Sequence, residues 1–119
     1  MRKVHLVYIL LLPLLIMGCQ SAPSTTDALF SGKSSADSVL KKDTLNTVSI
    51  FVMANGCNSI DHIETSVLHF EPRNGVKNHV WSEEKWMVTG CGKTFPFYVT
   101  YSEDGGTGSF FKVSEKDTN

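Results

Sequence analysis

The sequence lacks the short motifs by which common catalytic sites are recognised. It contains no His-Glu-x-x-His, which would hold zinc on a helix, and no Gly-x-Ser-x-Gly, which would expose a nucleophilic serine at a sharp turn. The glycine-rich stretch 104–108 does not end in Gly-Lys-Ser/Thr and lies between extended segments, so no helix N-terminus is available there for phosphate. We therefore predict that the protein is not an enzyme and has no catalytic residues, no metal and no cofactor.

Two weaker groupings of acid–base side chains remain. The stretch Asp61-His62-x-Glu64 has residue types that serve acid–base or metal chemistry. On a strand, however, His62 and Glu64 share one face while Asp61 points away. We interpret this stretch as a solvated strand end. Glu83 and Glu84 are adjacent carboxylates, and we expect them in a solvated loop between two tryptophans.

The chain has no excess of positive charge. It carries 11 basic and 12 acidic residues, for a net charge of −1 with histidine neutral. Because Arg2 and Lys3 lie in the N-terminal segment described next, the rest of the chain has nine basic residues against the same 12 acids, a net charge of −3. This balance argues against nucleic-acid binding and against a polybasic membrane patch.

A long apolar run of the kind that spans a membrane is also missing. The segment from Val4 to Met17 is shorter than the roughly 20 residues that a bilayer core requires. Pro13 interrupts it, and Arg2 and Lys3 precede it. A basic lead, an apolar stretch and a small residue after it are typical of a secretory signal peptide. A membrane helix and a buried helix of a cytosolic protein remain as alternatives.

The end of this segment, Ile16-Met17-Gly18-Cys19, resembles the lipobox of bacterial lipoprotein precursors. The resemblance implies cleavage after residue 18, a diacylglyceryl thioether on Cys19 and usually a further acyl chain, such as palmitate, on the new amine. One acyl chain binds a membrane with only about 10⁴ M⁻¹, so two or three chains give stable anchoring. Gln20, where enteric bacteria use aspartate for inner-membrane retention, favours the outer membrane. Ordinary secretion is the alternative.

The rest of the chain divides in two by composition. Residues 19–46 are rich in Ser, Thr, Asp and Lys and have too few apolar side chains to offset the entropy of ordering, which predicts a flexible tether after the lipidated cysteine. A short helix over 36–45, with Ser34 or Ser35 as its N-cap, is the alternative. Residues 47–119 have the length and composition of one folded domain.

The folded part has the composition and alternation of β-strands. In the segment 95–102, every second residue is aromatic or apolar, and Pro96 must lie at a strand start or on an edge. Asn74-Gly75 predicts a hairpin turn. The pattern favours an all-β fold, a small antiparallel β-sandwich or barrel-like sheet. Its strands are predicted over residues 47–54, 63–70, 76–81, 85–91, 95–102 and 109–114.

Cysteines are few, and their number is informative. With Cys19 assigned to lipid, Cys57 and Cys91 remain as an even pair in an exported chain, where disulfides persist. No Cys-x-x-Cys is present, and zinc would need two more ligands from the histidines. We predict a Cys57–Cys91 disulfide, with a metal or redox pair as the alternative.

The C-terminal half carries a second resemblance. The stretch from Trp86 to Lys93, Trp-Met-Val-Thr-Gly-Cys-Gly-Lys, precedes an alternating strand, an Asp-Gly turn and an aromatic-rich strand. It resembles a group of small uncharacterised proteobacterial lipoproteins with a Trp-x-Val-x-x-Cys-Gly-Lys pattern, and Gly105-Gly106-Thr107 matches the Gly-Gly-Thr of their last turn. The resemblance covers about the last 40 residues and the signal peptide. It implies architecture and location, not an activity.

The aromatic residues of the folded part are candidates for an interaction surface. Alternation cannot place both Phe110 and Phe111 inside a one-sided sheet, so one must face a loop, another layer or water. Trp81 and Tyr98 are the other residues that we expect to be exposed. The predicted binding surface therefore comprises Trp81, Tyr98, Phe110 and Phe111.

Taken together, these features predict a lipid-anchored, periplasm-facing protein that is attached to a bacterial membrane, more specifically the outer membrane, through Cys19. The expected role is non-catalytic, as an accessory protein that binds another envelope protein. A small-ligand-binding module, or an inhibitor of an envelope-directed hydrolase, is the alternative. An apolar cavity inside the sheet would favour the small ligand, and a flat aromatic patch would favour a protein partner. An enzyme is the third possibility, which a concave site with a buried His or Glu of shifted pKa would favour.

Overall fold

The computed structural model describes residues 28–116, which form a five-stranded sheet with a helix packed on one face. The predicted signal peptide, residues 1–18, and the predicted lipidation site, Cys19, lie outside the described residues. The elements follow in the order β1 (Phe30–Gly32), α1 (Ser38–Ala54), β2 (His62–Phe70), β3 (Val80–Gly90), β4 (Lys93–Glu103) and β5 (Ser109–Ser114).

The strands lie side by side in their chain order. β2 to β5 pair antiparallel, which confirms the prediction of a β-rich, mainly antiparallel domain. Two features differ from the prediction: β1 pairs parallel to β2, and the sheet stays open with a helix over it in place of a second sheet or a closed barrel. β1 ends at Gly32, which has a φ of 86° and lies so close to β2 that a Cβ would meet the Thr65 carbonyl oxygen.

The interpretation of residues 47–54 as a strand is wrong, because they form the second half of α1. The helix begins after Asp37, whose carboxylate accepts a hydrogen bond from the Leu40 amide at 2.8 Å and so acts as the N-cap. Its buried residues, Thr44, Val48 and Val52, recur every four positions and form the stripe that faces the sheet.

The predicted flexible tether also needs correction for the part that the structure describes. β1 and the first half of α1 lie within residues 19–46, so the folded domain begins earlier than residue 47. The alternative helix over 36–45 was the better interpretation of these residues, although the cap is Asp37, not Ser34 or Ser35.

The core lies between α1 and the sheet. Thr44 of the helix is hydrogen bonded to the Tyr101 hydroxyl at 3.0 Å, and the ring of Phe51 packs 5.9 Å from that of Phe97. The sheet contributes the largest fully buried apolar side chains, namely Ile63, Trp86, Val88, Phe97, Val99 and Tyr101.

The hairpin predicted at Asn74-Gly75 differs from the structure in its turn. Asn74 and Gly75 do not join two paired strands directly but lie in a connection of nine residues, 71–79. Residues 76–79 of the strand predicted over 76–81 lie in this connection, and residues 80–81 join those of the strand predicted over 85–91 in one continuous strand, β3. The tight turn of the sheet is instead Cys91-Gly92 between β3 and β4, where both residues have positive φ, 53° and 69°, as a two-residue hairpin turn of type I′ requires.

The predicted Cys57–Cys91 disulfide is present, with the two Cα atoms 5.9 Å apart. Cys57 follows the C-terminal end of α1 and is buried, while Cys91 occupies the β3–β4 turn. The bond therefore fastens the C-terminal end of the helix to the sheet, and leaves the N-terminal end of the helix to be held by other contacts.

Candidate functional site

A cleft of about 490 Å³ opens beside the N-terminal end of α1. The end of β2, the start of β3 and the β4–β5 turn meet it there, at the end of the sheet away from the disulfide. The cleft combines apolar, acidic and hydroxyl side chains with one arginine. Its lining residues are Ser35, Asp37, Val39, Leu40, Asp43, Phe70, Arg73, Trp81, Thr107, Gly108 and Ser109.

Trp81 lines the bottom of the cleft. The pairing of β3 with β4 skips this residue, since Val80 pairs with Ser102 and Ser82 with Tyr101. A bulge of this kind re-aims a side chain, and the Trp81 ring stacks on Tyr101 with centroids 5.6 Å apart. Its indole N–H donates to Ser109 Oγ at 3.1 Å. The expectation that Trp81 is exposed is wrong, because only 6% of the residue is accessible.

Arg73 forms one wall and is engaged by its own chain. Its guanidinium lies 5.7 Å from the Trp81 ring centroid. Nη1 donates to the Thr107 carbonyl at 3.2 Å and Nη2 to the Gly108 carbonyl at 2.7 Å. Nε lies 3.6 Å from Glu103 Oε1. Arg73 thus ties the 71–79 connection to the β4–β5 turn, and these three nitrogens already have partners.

Glu103, at the end of β4, also holds the 71–79 connection. Its side chain, 1% exposed, accepts from the Asn74 amide at 2.9 Å and the Gly75 amide at 2.7 Å, and faces His79 Nδ1 at 2.7 Å. Burial by itself raises the pKa of Glu103, but the Asn74 amide, the His79 ring and the Gly75 amide outweigh it and lower the pKa to about 2. The carboxylate is therefore ionised and fixed.

His79 lies between two carboxylates. Its Nε2 is 2.9 Å from Glu71 Oε2 and its Nδ1 is 2.7 Å from Glu103 Oε2. Hydrogen bonds to Glu71 and then Glu103 raise the pKa of His79, and those from His79 and then His69 lower the pKa of Glu71. Because both carboxylates accept, the doubly protonated ring satisfies both contacts. The cluster acts as a clamp on the connection, with both His79 nitrogens engaged.

The opposite wall is the N-terminal end of α1 and the segment before it. This segment is held by Glu84, whose carboxylate accepts from the Ser34 hydroxyl at 2.9 Å and from the Ser35 amide and hydroxyl at 2.6 Å each. The Trp86 indole donates to it at 2.9 Å. The expectation that Glu83 and Glu84 occupy a solvated loop is wrong, because both lie in β3 and Glu84 is fully buried.

The helix side of the cleft is negatively charged. Within residues 28–116, neither Asp37, Asp43 nor Glu84 lies within ion-pair distance of a basic side chain. The pKa of Tyr101 responds to this charge: burial raises it first, a hydrogen bond with Thr44 partly opposes that rise, and the negative charges of Glu84 and Asp37 raise it further. The balance of charge around the cleft therefore disfavours an anion and favours a cation.

The four aromatic residues predicted as a binding surface occupy different parts of the molecule. Trp81 lines the cleft, and Phe111 is partly buried against the core. Phe110, 50% exposed, pairs with Ser102, and Tyr98 lies under Lys85, whose Nζ is 5.8 Å from the ring centroid. The structure does not bring the four together on one surface.

Phe70 and Arg73 are cleft residues that the sequence analysis did not identify. Phe70 lies edge-on to Trp81 with centroids 6.2 Å apart, yet 57% of it is exposed. A bulge between Val67 and His69 shifts the register so that Phe70 pairs with Ser82, on the helix side of the sheet. The plain alternation of β2 gives no sign of this shift. Arg73 lies in the 71–79 connection, where no strand alternation indicates which way a side chain faces.

The remaining acid–base residues do not form a site with the cleft. His62 Nε2 lies 2.8 Å from Ser31 Oγ at the junction of β1 and β2. Asp61 and Glu64 are exposed. Across residues 28–116, no three His, Cys, Asp or Glu side chains are grouped closely enough to hold a metal ion. In the same part of the chain, no helix has both the length and the apolar character needed to cross a membrane.

Comparisons with known proteins identify no relative. No family model matches the chain. No curated protein and no solved structure match it either.

Proposed function

We propose that this chain is a bacterial lipoprotein, anchored through Cys19 and facing the periplasm, that binds an envelope protein at the cleft beside α1. Ile16-Met17-Gly18-Cys19 supports the anchor, and Gln20 favours the outer membrane. In this proposal the anchor holds the domain at the membrane surface and the cleft makes the contact. The role is that of a non-catalytic accessory protein.

One observation carries the binding role. Two large apolar side chains stand exposed on opposite walls of the cleft, Phe70 at 57% and Val39 at 67%, above the aromatic ring of Trp81. Exposed apolar surface grouped around a concavity is typical of an interaction site. A polypeptide partner would cover both side chains and remove them from water.

A small-ligand site is the alternative, and the volume of the cleft falls within the range of such sites. Small-molecule sites, however, bury most of the ligand's surface, whether in a cleft or in a cavity. Phe70 and Val39 are more than half exposed, so a ligand resting between them would stay in contact with solvent. The cleft therefore suits a segment of a larger partner better.

Site-specific photo-cross-linking in cells tests this role. A photoreactive phenylalanine analogue replaces Phe70 in one variant and Ile50 in the control. Ile50 is 67% exposed on α1 but does not line the cleft. We expect a discrete cross-linked protein from position 70 that position 50 does not give, and that Trp81→Ala abolishes. The same adducts from both positions, or none from position 70, would contradict the proposal.

A further inference from the structure

The basic residue that lines the cleft is already engaged by its own chain. Arg73 donates from Nη1 and Nη2 to two carbonyl oxygens, and its Nε lies 3.6 Å from Glu103. Glu103 and Glu71 together balance the charges of Arg73 and His79. An anionic ligand would compete with these carbonyl and carboxylate oxygens for the guanidinium. The arrangement around Arg73 therefore does not favour an anion.

The helix wall presents two carboxylates to the cleft. Asp37 and Asp43 are both exposed and both line it. Asp37 Oδ1 caps the Leu40 amide, while no contact within residues 28–116 engages its other oxygen. The positive end of the helix dipole opposes a cation here. Asp37, however, accepts a hydrogen bond from the Leu40 amide of the first helical turn, and its negative charge offsets that partial charge.

We infer that the cleft receives a basic side chain, lysine or arginine, from an apolar segment of the partner polypeptide. The charged group lies against Asp37 and Asp43, and the apolar neighbours of the basic residue lie against Val39, Phe70 and Trp81. Long basic side chains bury their methylene stems on apolar surface while their charged ends contact polar groups. This inference rests on the proposed function, since it specifies the chemistry of the partner at the same cleft.

Arg73 itself illustrates the recognition that the cleft supports. Its guanidinium lies over the Trp81 ring while its N–H groups donate to oxygens at the rim. Stacking of a cation on an aromatic face is favourable, and more so where water is excluded. The exposed ring of Phe70 offers a second such face with Asp37 and Asp43 across the cleft.

Two blocked hexapeptides provide the probe. The first alternates lysine with leucine or phenylalanine, and the second has glutamine at each lysine position. The full mature chain, purified from membranes in zwitterionic detergent, is titrated with each peptide. The protein has two tryptophans, and Trp86 is fully buried. The NMR signal of the Trp81 indole N–H, which the variant Trp81→Phe assigns by removing it, therefore reports on the cleft.

We expect the lysine peptide to shift the Trp81 signal and to bind about tenfold more tightly than the glutamine peptide, with the difference shrinking at high salt. The variant D37N/D43N should lose this preference and bind the two peptides about equally. Asparagine at position 37 still caps the helix. The control D61N/E64Q removes the same charge outside the cleft and should keep the preference.

Each contrary result identifies what has failed. If the two peptides bind the wild-type cleft equally, the basic side chain is refuted while a binding cleft stands. If D37N/D43N still prefers the lysine peptide, Asp37 and Asp43 are not the groups that bind the basic side chain. If the lysine peptide leaves the Trp81 signal unchanged, the inference is overturned. The proposed function is decided separately, by the cross-link from position 70.

Discussion

Two buried glutamates position the two walls of the cleft, and they do so with different donors. Glu84 is surrounded by neutral donors, two serine hydroxyls, one amide and the Trp86 indole. Glu103 accepts from two amides and from a histidine, and lies near an arginine. A buried carboxylate with full hydrogen bonding fixes the groups that donate to it. The walls are thus held by single side chains of β3 and β4.

Replacement of Glu84 by glutamine tests the first of these contacts. In Glu84→Gln, one acceptor oxygen becomes an NH₂ group that faces donors, so we expect the free energy of unfolding to fall by about 1 to 3 kcal/mol. Chemical denaturation measures the change. Glu64→Gln, an exposed substitution on β2, is the matched control and should be nearly neutral. Equal stability of the two variants would contradict the role given to Glu84.

The cluster around His79 predicts how stability varies with pH. The pKa of Glu103 is lowered from its ordinary 4.5 to about 2, so its stabilisation is present above pH 4.5 and is lost as pH falls toward 2. The pKa of Glu71 is also lowered by its histidine neighbours, so its stabilisation too is lost on the acidic side. The pKa of His79 is raised above 6.5. Its stabilisation is complete below pH 6.5 and is lost as pH rises through the raised value.

Maximum stability is therefore expected between pH 4.5 and 6.5. The midpoint of urea unfolding, measured across the pH range, should decline on both sides of that window. In His79→Gln the decline on the alkaline side should flatten, because position 79 no longer titrates. If the variant and the wild type declined equally above pH 6.5, another group would have to be responsible.

The sequence could not identify Glu84 as a buried residue. Two adjacent acids on a strand point to opposite faces, and composition favours water for both. The donors that make burial of Glu84 tolerable, Ser34 and Ser35, lie about 50 positions earlier in the chain. Such a contact leaves no local pattern, so only the folded arrangement reveals it.

At the scale of elements, α1 shows a conflict between composition and burial. Thr47, Val48, Ile50 and Val52 are β-branched and favour a strand when read locally. The spacing of the buried residues, Thr44, Val48 and Val52, is helical instead, and Asp37 supplies a cap. Packing on the sheet decides between the two, as tertiary contacts commonly override local propensity. The N-cap residue followed by the four-residue spacing was the feature of the sequence that indicated a helix.

The strands were predicted more successfully where alternation is clean. β5 spans Ser109–Ser114 as predicted, and β4 extends the predicted 95–102 by a few residues. The pairing of β4 with β5 ends at Tyr98 with Ser114, so Pro96 lies in a part of β4 that β5 does not cover. Because no strand pairs with Pro96 on that side, its missing N–H costs no hydrogen bond there. The polar stretch around Ser82 to Glu84 split β3 in the prediction, because a buried polar run resembles a loop.

The disulfide should be a large part of what keeps α1 on the sheet. Cys57 and Cys91 are 34 positions apart, and closing a loop of that length restricts the unfolded chain by about 3 to 4 kcal/mol in the loop-entropy treatment. We expect a reductant to lower the urea midpoint of the wild type accordingly. The double variant Cys57→Ala/Cys91→Ala is the control and should not respond to reductant. An unchanged wild-type midpoint would show that the bond contributes little.

For the whole molecule, the proposed anchor gives a prediction independent of the fold. Cys19→Ser should abolish acylation, because only a thiol carries the thioether lipid, and should release the protein from the membrane fraction. Mass spectrometry and membrane fractionation measure both effects. Cys57→Ser/Cys91→Ser removes the other two cysteines and should stay acylated and membrane-bound. Retention of Cys19→Ser in the membrane without an acyl mass would refute the anchor.

The position of β1 has a mechanical consequence. It is the first strand described, and it joins the sheet through three residue pairs, Phe30 to Gly32 with Ile63 to Thr65. Tension entering from the N-terminal side therefore reaches this short strand before it reaches α1. Once β1 detaches, the contacts of Ser34 and Ser35 with Glu84 bear the load, and these contacts form a wall of the cleft. If the protein is held at its N-terminus and pulled by a partner bound in the cleft, its affinity for that partner would thus fall as the force rises.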